Sequence, residues 1–181
     1  MSEGFGSMRH LAGRLAGSLW PGGPPAAGER WARSWLLPGE VRLWTRLSGP
    51  DRRHAVGVAR EVSRQLGPAP DDGARRPIMA AALLHDVGKV DAGMGTWSRV
   101  AATAVAVKLG RPRVAGWAAP GRAWRARAGR YVTHDRRGEE LLTAAGSDPF
   151  TVAWAAEHHL PAARRSVDPA VGAVLEAADG D

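Results

Sequence analysis

At 181 residues and 44% hydrophobic content, the chain has the size and composition of one globular domain able to bury a core without staples. The absence of cysteine excludes disulfides and thiolate metal sites, and is compatible with a reducing compartment. A net charge of +7 points toward an anionic partner, the smallest being a nucleotide. Only Lys89 and Lys108 are lysines, however, and the arginine, alanine, glycine and proline bias is also what a GC-rich coding sequence produces, so nucleic-acid binding is not favoured. Arg9, His10 and Arg14 interrupt the N-terminal apolar residues, so no signal peptide is expected and a cytoplasmic location is simplest. Abundant alanine, leucine and arginine, with few threonine, isoleucine, tyrosine and phenylalanine, favour helix over sheet.

In chain order, Met8, Leu11, Leu15 and Leu19 predict a short amphipathic helix over residues 1–20, followed by a breaker-rich linker from Pro21 to Gly28. Trp31, Trp35 and Leu36 mark a second short helix stopped by Pro38-Gly39; Val41, Leu43, Trp44 and Leu47 mark a third. Gly49-Pro50-Asp51 starts a helix over residues 51–66, with Ala55, Val58, Ala59, Val62 and Leu66 as its buried stripe and His54 at the stripe's border. Gly67 to Gly73 reads as a loop. Ile78 to Leu84 is apolar on every side, as a central helix should be, and ends in His85-Asp86 with Gly88 and Lys89 beyond. Residues 98–118 are apolar, but Lys108, Arg111 and Arg113 make the run too broken to span a bilayer. An amphipathic helix lying on the core or on a membrane surface is expected there.

Arg122, Arg125, Arg127 and Arg130 surround Trp124 and read as a solvated basic segment, or as a lip that draws in a polyanion. His134, Gly138, Leu141 and Leu142 share a helical face. Asp148-Pro149 and Asp168-Pro169 are N-cap and first-turn pairs. The first opens a helix to His158-His159, halted at Pro161; the second opens one on which Val171, Leu175 and Asp179 lie at four-residue steps. The tryptophans at 31, 35, 44, 117, 124 and 154 are expected as core and staple residues rather than base-stacking platforms. No strand pattern or repeat appears, and the expected fold class is all-α.

Five of the six histidines, with Asp86 and Asp179, fall on or at the ends of these helices, and imidazole with carboxylate is the ligand set for divalent cations that handle phosphate oxygens. The segments RRHAVGVAREV, AALLHDVGKV, THDRRGEELL, AEHHLP and VLEAADGD resemble the successive signatures of the HD-domain superfamily of metal-dependent phosphohydrolases, over roughly residues 50–181. That resemblance implies a compact helical bundle with extra N-terminal helices: residues 1–49 as an extension packed on the core, and 50–181 as the metal-binding domain.

It further implies that His54, His85, Asp86 and Asp179 hold a first cation. His134, His158 and His159 would support a second, as in the binuclear branch that includes HD-GYP phosphodiesterases and dinucleoside-polyphosphate hydrolases. Asp86 would bridge the cations and serve catalysis, and Lys89 would reach a phosphate oxygen, although Lys89 also reads as a charge complementing a helix end. One or two ions of Mn, Fe, Co, Ni or Mg are implied, with hydrolysis of a nucleotide-like phosphoester or phosphoanhydride through a metal-bound hydroxide. Leu160-Pro161-Ala162 replaces the longer Gly-Tyr-Pro signature, so cyclic dinucleotides are not the favoured substrate. Pro50 stands where some binuclear relatives carry a glutamate ligand, and Asp181 is an alternative to Asp179 near the chain end. The competing reading is a non-catalytic module of the same type that senses a nucleotide or binds a partner.

Overall fold

The computed structural model describes residues 22–68 and 72–180. The helix expected over residues 1–20 and the alternative ligand Asp181 lie outside them. Among the described residues ten α-helices follow one another: α1 Ala26–Ser34, α2 Pro38–Trp44, α3 Gly49–Leu66, α4 Asp72–Leu84, α5 Thr96–Leu109, α6 Arg111–Ala115, α7 Trp124–Val132, α8 His134–Ala145, α9 Pro149–Glu157 and α10 Pro169–Asp179. Two 3-10 turns interrupt them, Val87–Asp91 and Ala162–Arg164, and the described residues contain no strand. The all-α expectation is met.

Local chemistry sets most of the helix starts. The Asp148 carboxylate accepts from the Phe150 amide, and Asp168 accepts from the amides of Ala170 and Val171. Each satisfies first-turn donors that have no partner within the helix. At α3 the cap is Ser48, one residue ahead of the expected Gly49-Pro50-Asp51 signal, and its hydroxyl accepts from the Asp51 amide. At α2 the buried Glu40 reaches back to the Leu37 amide at 2.7 Å. The N-terminal reading shifts in one respect: α1 already begins at Ala26, so Gly28 belongs to a helix rather than to a linker.

The core forms around α4, where every side chain from Met79 to Leu84 is essentially inaccessible. Helices α3 and α9 pack against α4, α10 against α3, and α8 against α9 and the Val87–Asp91 turn. Thr151 on α9, fully buried, donates its hydroxyl to the Pro77 carbonyl on α4 at 3.0 Å. Trp44, fully buried, joins α2 to α1 by donating Nε1–H to Glu29 at 2.7 Å. A second, smaller core belongs to α5, α6 and α7: Ala102, Val114, Ala128 and Val132, with Ala92 and Met94.

Trp124 departs from the expectation of a core tryptophan. It is the first residue of α7 and stands 39% exposed, whereas Ala126, Ala128 and Gly129 further along the helix are buried. The arginines around it also divide. Arg122 is exposed, whereas Arg127 donates to the Ala92 carbonyl and Arg130 donates to the carbonyls of Asp91, Ala119 and Gly121. Half of the supposed solvated segment thus tethers α7 to loops on either side.

One close approach determines where the site lies. A Cβ at Gly88 would stand 1.8 Å from the His134 carbonyl oxygen, so only glycine lets the Val87–Asp91 turn press against the start of α8. Gly88→Ala should therefore destabilise the protein by on the order of 3 kcal/mol through overpacking. The solvent-facing Gly57, inside α3, has nothing within 4 Å of its Cβ position. Gly57→Ala should raise stability by about 0.5–1 kcal/mol. Thermal and urea unfolding of the two variants checks both the size and the opposite sign.

Candidate metal centre

The side chains implied as ligands come from five separate elements: His54 from α3, His85 and Asp86 from the end of α4, His134 from the first position of α8, His158 and His159 from the end of α9, and Asp179 from the end of α10. The fold brings all of them together. His54 Nε2 lies 2.8 Å from Asp179 Oδ1, and His85 Nε2 lies 3.7 Å from the same oxygen. On the other side, His134 Nε2 and His159 Nε2 are 3.4 Å apart. Two trios result, His54–His85–Asp179 and His134–His158–His159, each with ligand atoms all within 4.8 Å of one another.

Asp86 belongs to neither trio and lies between them. Its Oδ1 is 3.2 Å from His134 Nε2 and 3.9 Å from His158 Nε2, while its Oδ2 is 3.4 Å from His85 Nε2. Lys89 Nζ donates to Asp86 Oδ2 and stands 6.0 Å from the centre of the Tyr131 ring. In this arrangement the lysine neutralises the central carboxylate rather than projecting into solvent.

Backbone geometry decides which ring nitrogens are available. Carbonyl oxygens only accept, so the Nδ1 of His85 donates to Ala82 at 3.0 Å, that of His134 to Tyr131 at 2.7 Å, and that of His158 to Ala155 at 3.1 Å. Each bond spans three residues, and each leaves Nε2 as the lone-pair nitrogen of the neutral ring. His85 Nε2 and His158 Nε2 are buried with no hydrogen-bond partner. A buried polar atom left so costs about 1–3 kcal/mol, which a bound cation would relieve. Nitrogen and carboxylate donors without sulfur suit Mn, Fe, Co, Ni or Zn. By these criteria the residues fit a metal ion.

The electrostatics follow the same division. Burial opposes charge on His85, yet Asp86 and Asp179 outweigh it and lift the imidazole to about 9. Burial pushes His158 down to about 4, with the neighbouring His85 acting in the same direction. The His159 ring edge is solvent-accessible, but its nitrogen faces His134 and it too is held low, by desolvation and then by His158. For Asp86, burial would raise the carboxyl; Lys89 and His85 instead hold it well below the usual range. Asp179 is likewise lowered against burial, by His85 and then His54. His85 therefore carries a proton where a cation would sit, whereas His158 and His159 are held neutral.

Arg165 is a residue that sequence reasoning missed. Almost buried, it donates to the carbonyls of Leu160 and His158, pairs with Glu176 at 2.8 Å and lies over Trp154. It thereby locks the end of α9, which carries one trio, to α10, which carries Asp179. No local pattern marks it, since its partners lie five to eleven positions away. Asp51 and Arg99 form a second such link, a two-pronged pair at 2.6 and 3.0 Å one turn ahead of His54. A cleft of about 660 Å³ opens on the far side of Gly88, lined by Asp91, Arg130, Thr133 and Arg137, and none of the site imidazoles faces it.

No family model, curated protein or solved structure matches this chain.

Because a cation must displace the proton on His85, its uptake should tighten as pH rises toward about 9, by about tenfold per unit with one proton released. Calorimetric titration of manganese between neutral and mildly alkaline pH, in buffers of different protonation enthalpy, measures both quantities. A pH-independent affinity removes His85 from the ligand set.

Proposed function

We propose that the chain is a metal-dependent phosphohydrolase of the HD-domain type, cleaving a phosphoester or phosphoanhydride of a nucleotide-like substrate. The observation that carries this reading is the position of Asp86, whose two oxygens face two separate trios, one of three histidines and one of two histidines with Asp179. A structural carboxylate needs one partner set. A carboxylate shared between two cations needs one on each side.

In this reading His54, His85, Asp86 and Asp179 hold one cation, and Asp86, His134, His158 and His159 hold the second. Residues 50–181 form the metal-binding unit, with 1–49 an extension packed upon it. When bound, divalent cations polarise a phosphoryl oxygen and lower the pKa of coordinated water. The chain's own groups do the rest. The carbonyls of Ala82, Tyr131 and Ala155 fix ring tautomers, so that ligand orientation is set before any ion arrives. Asp86 stays ionised across the neutral range because Lys89 donates to it. The Lys89 ammonium, close to the same carboxylate, offers a positive charge to a nonbridging phosphate oxygen. Arg165 keeps α9 and α10 in register, and the Asp51–Arg99 pair braces α3 against α5.

Metal analysis of protein purified without chelator should give two equivalents. Such protein should hydrolyse a generic aryl phosphate monoester or diester with manganese, and chelator should remove the activity. Asp86→Ala should lower turnover more than the about 10–100-fold typical of losing an outer-sphere partner. Undiminished turnover in that variant ends the catalytic assignment; tight metal and nucleotide binding with no product supports the sensing module instead.

A further inference from the structure

The helix α5 is apolar on both sides, yet only one side is covered. Ala102 is fully buried and Val105 and Ala106 pack toward the small core, whereas Trp97 is 67% and Val107 79% exposed. Trp97, Val100, Ala104 and Val107 recur at steps of three and four, so they line one face along about 15 Å of helix axis. All four are exposed. A helix that is apolar all round is normally buried all round. Leu109, at the end of α5, and Trp124, at the start of α7, are also exposed.

The charge around this face is one-sided. From Ala92 to His134 the chain has eight basic residues and not one of its 18 acids; outside that stretch the charges nearly cancel. Some of the eight are committed internally: Arg99 to Asp51, Arg111 to Asp135, and Arg127 and Arg130 to carbonyls. Lys108, Arg113 and Arg122 are exposed and have no ion pair among the described residues. Exposed tryptophan and aliphatic side chains beside unpaired cations match the chemistry of an anionic bilayer surface. There the indole lies at headgroup level, the aliphatic groups enter the acyl boundary, and the cations meet lipid phosphate.

We infer that the α5 face bearing Trp97, Val100, Ala104 and Val107, with Lys108 and its neighbouring free arginines, docks on an anionic lipid surface. Two other occupants fit less well. A second copy would set a basic face against a basic face. A polynucleotide offers the cations phosphate and the indole a stacking partner, but nothing that takes up Val100 and Val107. No helix among the described residues is long and apolar enough to cross a membrane. The opposite side of α5 carries Arg99, whose pair with Asp51 ties this helix to α3 one turn ahead of His54. The inference stands on this face alone and is independent of the proposed hydrolase activity.

Flotation of the full chain with vesicles tests it. The protein should float with phosphatidylcholine vesicles containing roughly one-third phosphatidylglycerol and remain behind with phosphatidylcholine alone, and added salt should weaken the association. Trp97→Ser combined with Val107→Ser should lower the partition coefficient at least about tenfold, with an unchanged thermal midpoint because both side chains are exposed. Lys108→Glu combined with Arg113→Glu should remove the preference for anionic lipid. Absence of flotation with anionic vesicles overturns the inference, as does equal flotation of the serine variant. A dimer seen in sedimentation analysis and lost in that variant assigns the face to a second copy, which also overturns it.

Discussion

Three buried imidazoles donate Nδ1–H to the carbonyl three residues behind them, and the rest of the centre depends on that repeated bond. A histidine at a helix end has both the slack to turn back and an unpaired carbonyl to meet. The bond does two things at once. It fixes the ring plane, and it turns the remaining nitrogen into the site, where at His85 and His158 it has no hydrogen-bond partner. Packing then directs these nitrogens inward, because Leu84, Leu142 and Trp154 beside them are buried on all sides.

Burial by itself would neutralise the acids of such a site, and here it does not. Asp86 has Lys89 on one oxygen and imidazoles on both sides, and Asp179 has His54 at 2.8 Å. The electrostatic result is uneven: His85 holds a proton beside Asp86 and Asp179, while His158 and His159 are kept neutral chiefly by desolvation. Two sites of unequal proton affinity joined by one carboxylate would load their cations with different pH dependence.

Much of the fold was legible because the signals were local. Asp148-Pro149 and Asp168-Pro169 start helices where their chemistry says they should, and the apolar run from Ile78 to Leu84 is the buried central helix. The histidine set was legible as chemistry, through the order in which His54, His85-Asp86, His134, His158-His159 and Asp179 occur. Less legible were contacts between distant residues. Arg165 has no periodic signature, and Arg130 looks solvated until three carbonyls from two loops surround it. Trp124 was misjudged for a related reason: hydrophobicity gives the tendency to be buried, but the direction a helix faces depends on what packs against it.

Composition, helical periodicity and capping residues by themselves determined an all-α chain whose imidazoles and carboxylates sit at helix ends, since each depends on neighbours within a turn or two. Tertiary structure alone decided that five imidazoles and the Asp179 carboxylate divide into two trios and that the oxygens of Asp86 face both. It also decided that the Lys89 ammonium closes on that carboxylate and that one face of α5 stays bare. These are distances between groups far apart along the backbone, and they exist only once the helices have packed.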